Sequence, residues 1–226
     1  LKKFTTPSSG EPVDLIPSNL PANEPRPFSL KVDDQSITSR LNESLYQVRG
    51  DSSGKVDATS NAATVVFEYE DVSGVRARKE LRFEPKDYVV ALSVDVHNGA
   101  TVLNPTIAWG PGLGDLGAAS SGGSFFTGNA VQPPQGIYHR DGKVERLNTD
   151  ALSSQPVHEG NFRFAGIDDH YFLAAAINPG QAGLDYRPVS LTVPGADAPI
   201  RFLAISYRFA QPPRGLRFFV GPKQFD

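Results

Sequence analysis

The chain has 226 residues, with 22 basic and 25 acidic side chains for a net charge of −3. A globule of this size buries a core without covalent staples, and the absence of Cys excludes disulfide scaffolds, thiol catalysis and Cys-ligated zinc. The near-balanced charge lacks the basic footprint of nucleic-acid binders, so no nucleic-acid partner is expected.

The dominant period along the chain is two. Val65, Phe67 and Tyr69 alternate with Val66, Glu68 and Glu70. Val75, Ala77, Leu81 and Phe83 alternate with Arg76, Arg78, Glu80 and Arg82, with Lys79 interrupting the apolar face. Val90, Leu92, Val94 and Val96 alternate with Ala91, Ser93, Asp95 and His97. Such alternation is what a sheet with one face in the core requires. Further strands are expected over 13–16, 28–32, 44–49, 105–109, 162–166, 171–178, 187–193, 200–209 and 216–221. Asp141-Gly142 joins 137–140 to 143–146 as a type I′ turn, because both positions need positive φ. Asn98-Gly99 closes a strand in a similar way. Pro179-Gly180, Pro194-Gly195 and Pro212-Pro213 punctuate the rest.

Helical signals are weak, and at most 150–154 forms a helical turn. A dozen or so short strands predict an all-β fold, an antiparallel sandwich or barrel with little helix. The segment 17–27 carries four prolines and reads as an extended surface connection. The segment 110–136 carries eight glycines and reads as a long flexible loop holding Phe125 and Phe126. The chain contains no Met, so it reads as a piece of a longer frame, and missing targeting signals carry no weight. No apolar run approaches the roughly 20 residues that span a bilayer, so a soluble piece is expected.

Chemistry is sparse. Gly110-Pro111-Gly112-Leu113-Gly114 is a poor phosphate loop, since Pro111 removes a donor and no Lys-Ser or Lys-Thr pair follows. His97, His139, His158 and His170 show no ligand spacing, and the polar pairs around His158 and Asp168 read as solvated strand ends. No metal, cofactor or catalytic residue is assigned. Arg76, Arg78, Lys79 and Arg82 read as a solvated face.

Three segments carry a resemblance: Pro105-Thr106-Ile107-Ala108-Trp109-Gly110-Pro111-Gly112-Leu113, Phe164-Ala165-Gly166-Ile167-Asp168-Asp169-His170-Tyr171-Phe172-Leu173-Ala174, and Phe218-Phe219-Val220-Gly221-Pro222-Lys223. In this order they resemble the large periplasmic domain of the YidC branch of the YidC/Oxa insertase family. Leu1-Lys2-Lys3-Phe4, Glu11-Pro12-Val13-Asp14-Leu15-Ile16 and the 88–98 strand resemble further family segments, so the likeness covers nearly the whole chain. The motif residues it singles out are Trp109, Gly110, Pro111, Gly112, Gly166, Asp168, Tyr171, Phe172, Gly221, Pro222 and Lys223.

The resemblance implies one domain over 1–226, a β-supersandwich similar to galactose mutarotase folds, on the periplasmic side of the bacterial inner membrane. It implies a non-enzymatic part of a membrane protein insertase and chaperone, tied to the membrane by segments outside this chain. The implied partners are Sec translocon accessory subunits (SecDF) and nascent membrane proteins, with a cleft on the sandwich as a peptide or substrate site. Phe125 and Phe126 are the expected partner contacts. Trp109 reads as an aromatic packed under a loop. The rival reading is a sugar-binding or mutarotase-type enzyme, with His97, His139 or His170 as the base.

Overall fold

The structure is a computed structural model that describes residues 15–16, 20–49, 56–85, 87–113, 133–169, 172–192 and 199–223. In chain order the elements are β1 (Ser29–Lys31), α1 (Gln35–Glu43), β2 (Gln47–Arg49), β3 (Ala63–Glu70), β4 (Val75–Phe83), β5 (Val89–Asn98), β6 (Thr101–Leu103) and β7 (Thr106–Trp109). They continue with β8 (Gln135–Arg140), β9 (Lys143–Leu147), α2 (Thr149–Ser154), β10 (Val157–Asp168), β11 (Phe172–Leu191), β12 (Ile200–Phe209) and β13 (Leu216–Pro222).

The strands form one antiparallel sheet in the order β1-β7-β12-β11-β13-β5-β4-β3-β2, with β10 on the other edge of β11, β8 on β10, β9 on β8 and β6 on β5. Phe28, beside β1, lies four strand steps from β13 along this order. In a flat sheet that is about 19 Å at the usual strand spacing. The Phe28 and Phe218 ring centroids are 5.0 Å apart, so the sheet folds over on itself and encloses its core. The fold is all-β and sandwich-like, as the alternation predicted.

The enclosed face is continuous. Val75, Ala77, Leu92, Val94 and Val96 meet Ile107, Ile167, Leu184, Leu203, Ile205 and Phe218 in one buried cluster. A second cluster of Leu20, Val189, Leu191, Phe202 and Ala204 lies apart from it. Buried tyrosines lock the layers. The Tyr207 hydroxyl donates to the Ala165 carbonyl at 3.0 Å, and the Tyr186 hydroxyl is shared between the Ile137 and Gly166 carbonyls at 3.2 Å each. Burial pushes the pKa of both phenols upward, so they stay donors.

β11 is the element around which this geometry turns. Residues 172–177 pair with β13, residues 182–191 pair with β12, and β10 follows the opposite edge. The change of neighbour falls at Asn178-Pro179-Gly180, where Asn178 has φ 48° and Gly180 φ 71°. The β10 register shifts at the same place, between Phe162 and Phe164. The Pro179-Gly180 break expected from sequence is therefore a bulge inside one 20-residue strand. Proline is tolerated there because a bulge has an unpaired position.

Other expectations are revised. A nine-residue helix, α1, stands where no helix was predicted. Asp34 caps it by accepting from Ser36 N and Ile37 N, and Ile37 and Leu41 bury one side. Of the 17–27 connection, residues 20–27 run along the surface, largely exposed, and are pinned at two points: Leu20 is buried, and Glu24 pairs with Arg187 at 2.6 Å. The glycine-rich loop is shorter than 110–136, because 110–113 is buried and Gln135-Gly136 belong to β8. Asp141 (φ 52°) and Gly142 (φ 78°) form the expected type I′ link between β8 and β9. Of the 13–16 strand, Leu15 and Ile16 form a bend, and 13–14 lie outside the described residues.

Candidate functional site

The resemblance motifs gather into two places. The first is the end of β7. Trp109 is 3% exposed and its ring meets Phe28 edge-on at 5.3 Å, so it packs in the core beneath the 20–28 segment. Its Nε1 is buried and has no hydrogen-bond partner among the described residues. A Cβ on Gly110 would sit 1.7 Å from the Pro25 carbonyl oxygen, so only glycine lets the 20–28 segment lie this close. Gly112 has φ 86° and donates to the Leu203 carbonyl at 3.3 Å, which turns the buried Pro111-Gly112 pair back along β12.

The second place is where β10, β11 and β13 end together. Asp168 is buried, with its side chain 8% exposed, and carries two cations. Lys223 Nζ donates to Oδ1 at 2.8 Å and Arg146 Nε donates to Oδ2 at 3.2 Å. The carboxylate thus joins the end of β10, the β9 edge strand and the residue that follows β13. Asp168 is not the solvated strand end that the sequence suggested. Phe172 is half-buried against the core. A Cβ on Gly166 would lie 1.9 Å from the Ala174 carbonyl oxygen, and one on Gly221 would lie 2.6 Å from the Tyr88 ring. Both glycines are therefore required by close approach. Tyr171 and His170 lie outside the described residues, as do Phe125 and Phe126.

The remaining histidines are scattered. His97 is on β5 and His139 on β8, four strand steps apart through β13, β11 and β10. His97 faces Arg76 and Val102 across its ladders, whereas His139 faces Phe164 and Val144 and packs on the Phe164 ring at 5.8 Å, so the two share no ladder partner. His158 is buried, not a solvated strand end: it is 8% exposed, between the rings of Tyr138 at 5.2 Å and Tyr186 at 6.0 Å. Its Nδ1 lies 3.4 Å from the Tyr138 hydroxyl, which donates to Glu145 at 3.0 Å. Burial, reinforced by the positive charge of Arg140, holds its pKa below the usual value. Sequence reasoning missed this network, and no local signal marks it. Among the described residues no group of three or more His, Asp or Glu is arranged to hold a metal.

A cleft of about 400 Å³ opens between residues 22–26, α1 and the outer side of β1, β7 and β12. Its floor is small, from Ala108, Ala204 and Ser206, and its rim carries Lys31, Asp185 and Arg187. The basic cluster on β4 behaves as a solvated face: Arg78 pairs with Glu80 at 2.7 Å and Arg82 with Glu84 at 2.7 Å. Lys79 is the exception. It sits 4.7 Å above the Tyr46 ring, and burial lowers its pKa.

These features define an all-β, sandwich-like domain whose motif residues set close backbone contacts and anchor its closing strand. The model of the YidC periplasmic domain matches residues 1–226, and the chain belongs to that family. A protein named membrane protein insertase YidC from Anaeromyxobacter dehalogenans (strain 2CP-C) is 26% identical over 226 residues, covering 95% of this chain and 37% of that protein. One of the same name from Anaeromyxobacter sp. (strain K) is 26% identical over 171 residues, covering 74% and 29%. The matched stretch therefore spans about a third of the length of these relatives. No helix among the described residues is long and apolar enough to cross a membrane.

Proposed function

We propose that the chain is the periplasmic domain of a membrane protein insertase at the bacterial inner membrane, and that it serves docking rather than catalysis. The observation that carries this is the family match over residues 1–226. It is supported by a site whose residues pack and anchor the chain. The clients of the whole protein are nascent membrane proteins, and the docking partners are the Sec accessory subunits (SecDF). Phe125 and Phe126 form part of the docking surface.

Two experiments test this. The reading frame around the chain should contain apolar stretches of about 20 residues after Asp226. A stop codon directly after Asp226 overturns the insertase reading. Replacing Phe125→Ser and Phe126→Ser together should weaken capture of the Sec accessory subunits while the far-UV circular dichroism is unchanged. Unaltered capture removes these residues from the docking surface.

A further inference from the structure

Edge strands invite pairing with other chains, and proteins usually guard them. This fold guards its edges unequally. On β1 the outward backbone groups are already taken. Asn42 accepts from Leu30 N at 3.0 Å and donates to the Leu30 carbonyl at 2.7 Å. Thr38 does the same for Val32, accepting at 3.0 Å and donating at 3.0 Å. α1 thus imitates a neighbouring strand with two side chains one turn apart. The β9 edge carries Lys143, Glu145 and Arg146. The β6 edge runs into Asn104-Pro105, where proline lacks a donor and the Asn104 amide is tied to the Phe209 carbonyl at 2.7 Å.

The β2 edge is guarded only by its three-residue length and the charge of Arg49; among the described residues no helix side chain or proline covers it. It pairs only with β3 among the described residues, through Gln47↔Glu68, Val48↔Phe67 and Arg49↔Val66. All three of its residues are exposed. Two apolar side chains stand in water beside it, Leu45 at 96% and Val48 at 56% exposure. Alternation places Val48 on the side of Phe67, and Leu45, Gln47 and Arg49 on the other. On that other side a polar groove of about 610 Å³ runs across β2 to β5, lined by Arg49, Glu68, Arg78 and His97 among others. The cation nearest the open edge is Arg49, whose side chain is 68% exposed although it pairs with Glu68.

We propose that β2 is a strand-addition site that receives an extended segment of another polypeptide. The incoming strand presents an apolar side chain beside Val48 and an acidic one beside Arg49. Main-chain hydrogen bonds supply affinity and the alternate side chains supply register. A second copy of this chain is the less suitable occupant, because two three-residue edges bury far less than the roughly 1,200 Å² of a stable interface. The site is a transient reader of extended chain. It stands independently of the insertase reading.

The probe is a capped heptapeptide, Glu-Val-Glu-Val-Thr-Val-Glu, titrated into the whole chain and followed by amide hydrogen exchange and NMR shifts. Exchange at Gln47, Val48 and Arg49 should slow and the shifts should centre on β2. N-methylation of the central valine should abolish the effect. Val48→Lys places a guard charge on the edge and should weaken binding by about tenfold, equivalent to ~1.4 kcal/mol. Thr38→Val with Asn42→Leu should open β1 as a second site without altering binding at β2. The inference fails if exchange at β2 is unchanged, or if binding is indifferent to Val48→Lys. It also fails if sedimentation shows a dimer that Val48→Lys abolishes, which would make a second copy the occupant. None of these outcomes bears on the Phe125 and Phe126 capture experiment, so the two readings fail separately.

Discussion

The single tryptophan makes one residue-scale expectation easy to check. Trp109 is 3% exposed and packed against Phe28, so its emission should be blue-shifted and resistant to quenching by acrylamide in the native state. Emission typical of water-exposed indole would displace it from the core. Gly166 allows a sharper test. The Cβ of Gly166→Ala would meet the Ala174 carbonyl oxygen at 1.9 Å. That atom belongs to the ladder and cannot move cheaply, so urea unfolding should show a loss of about 3 kcal/mol. Asp168→Asn keeps the shape but removes the charge that holds Lys223 and Arg146. Arg146 is half-exposed and regains water, which tempers the cost to about 2 kcal/mol. His158 sets a pH dependence. Its folded pKa lies below its unfolded value because burial disfavours the cation. The unfolded chain therefore binds more protons in the window between the two values. Stability is fully present above pH ~6.5 and falls as pH drops below it. His158→Phe should flatten that part of the melting-temperature profile, and an unchanged slope would assign the effect to another group.

Elements were legible where local chemistry alone decides them. β3, β4 and β5 alternate cleanly, and the Asp141-Gly142 link demands positive φ. α1 is not legible in the sequence because nine residues offer only Ile37 and Leu41 as an apolar stripe, while its Thr38 and Asn42 look like loop residues. Their role is to satisfy the β1 edge, a contact that sequence alone does not display. The sequence of β11 reads as two strands because Pro179-Gly180 is ordinarily a stop, and only the shift of β10 at the same level lets the strand continue. The motif glycines could be singled out, but not the backbone atoms that forbid a Cβ on them. Asp168 and Lys223 were each singled out as well, yet nothing in a separation of 55 residues announces that they touch.

At the scale of the molecule, β11 is shared by both arms of the folded sheet. Its first third carries β13 and through it β5, β4, β3 and β2. Its second half carries β12, β7 and β1. β10 pairs with both stretches of β11, so the loss of either arm loosens a ladder on which the other also rests. Thermal unfolding should thus be one transition, with far-UV dichroism and Trp109 emission coincident. Two separated transitions would show that the bulge at Asn178-Pro179-Gly180 insulates the arms. The same continuity governs how tension would travel. A pull on the chain beyond Lys223 is first resisted by the Asp168 ion pairs and the β13–β11 ladder. β11 then passes the force to the sheet arm that ends at β1. Under load the domain should behave as a single frame that yields all at once.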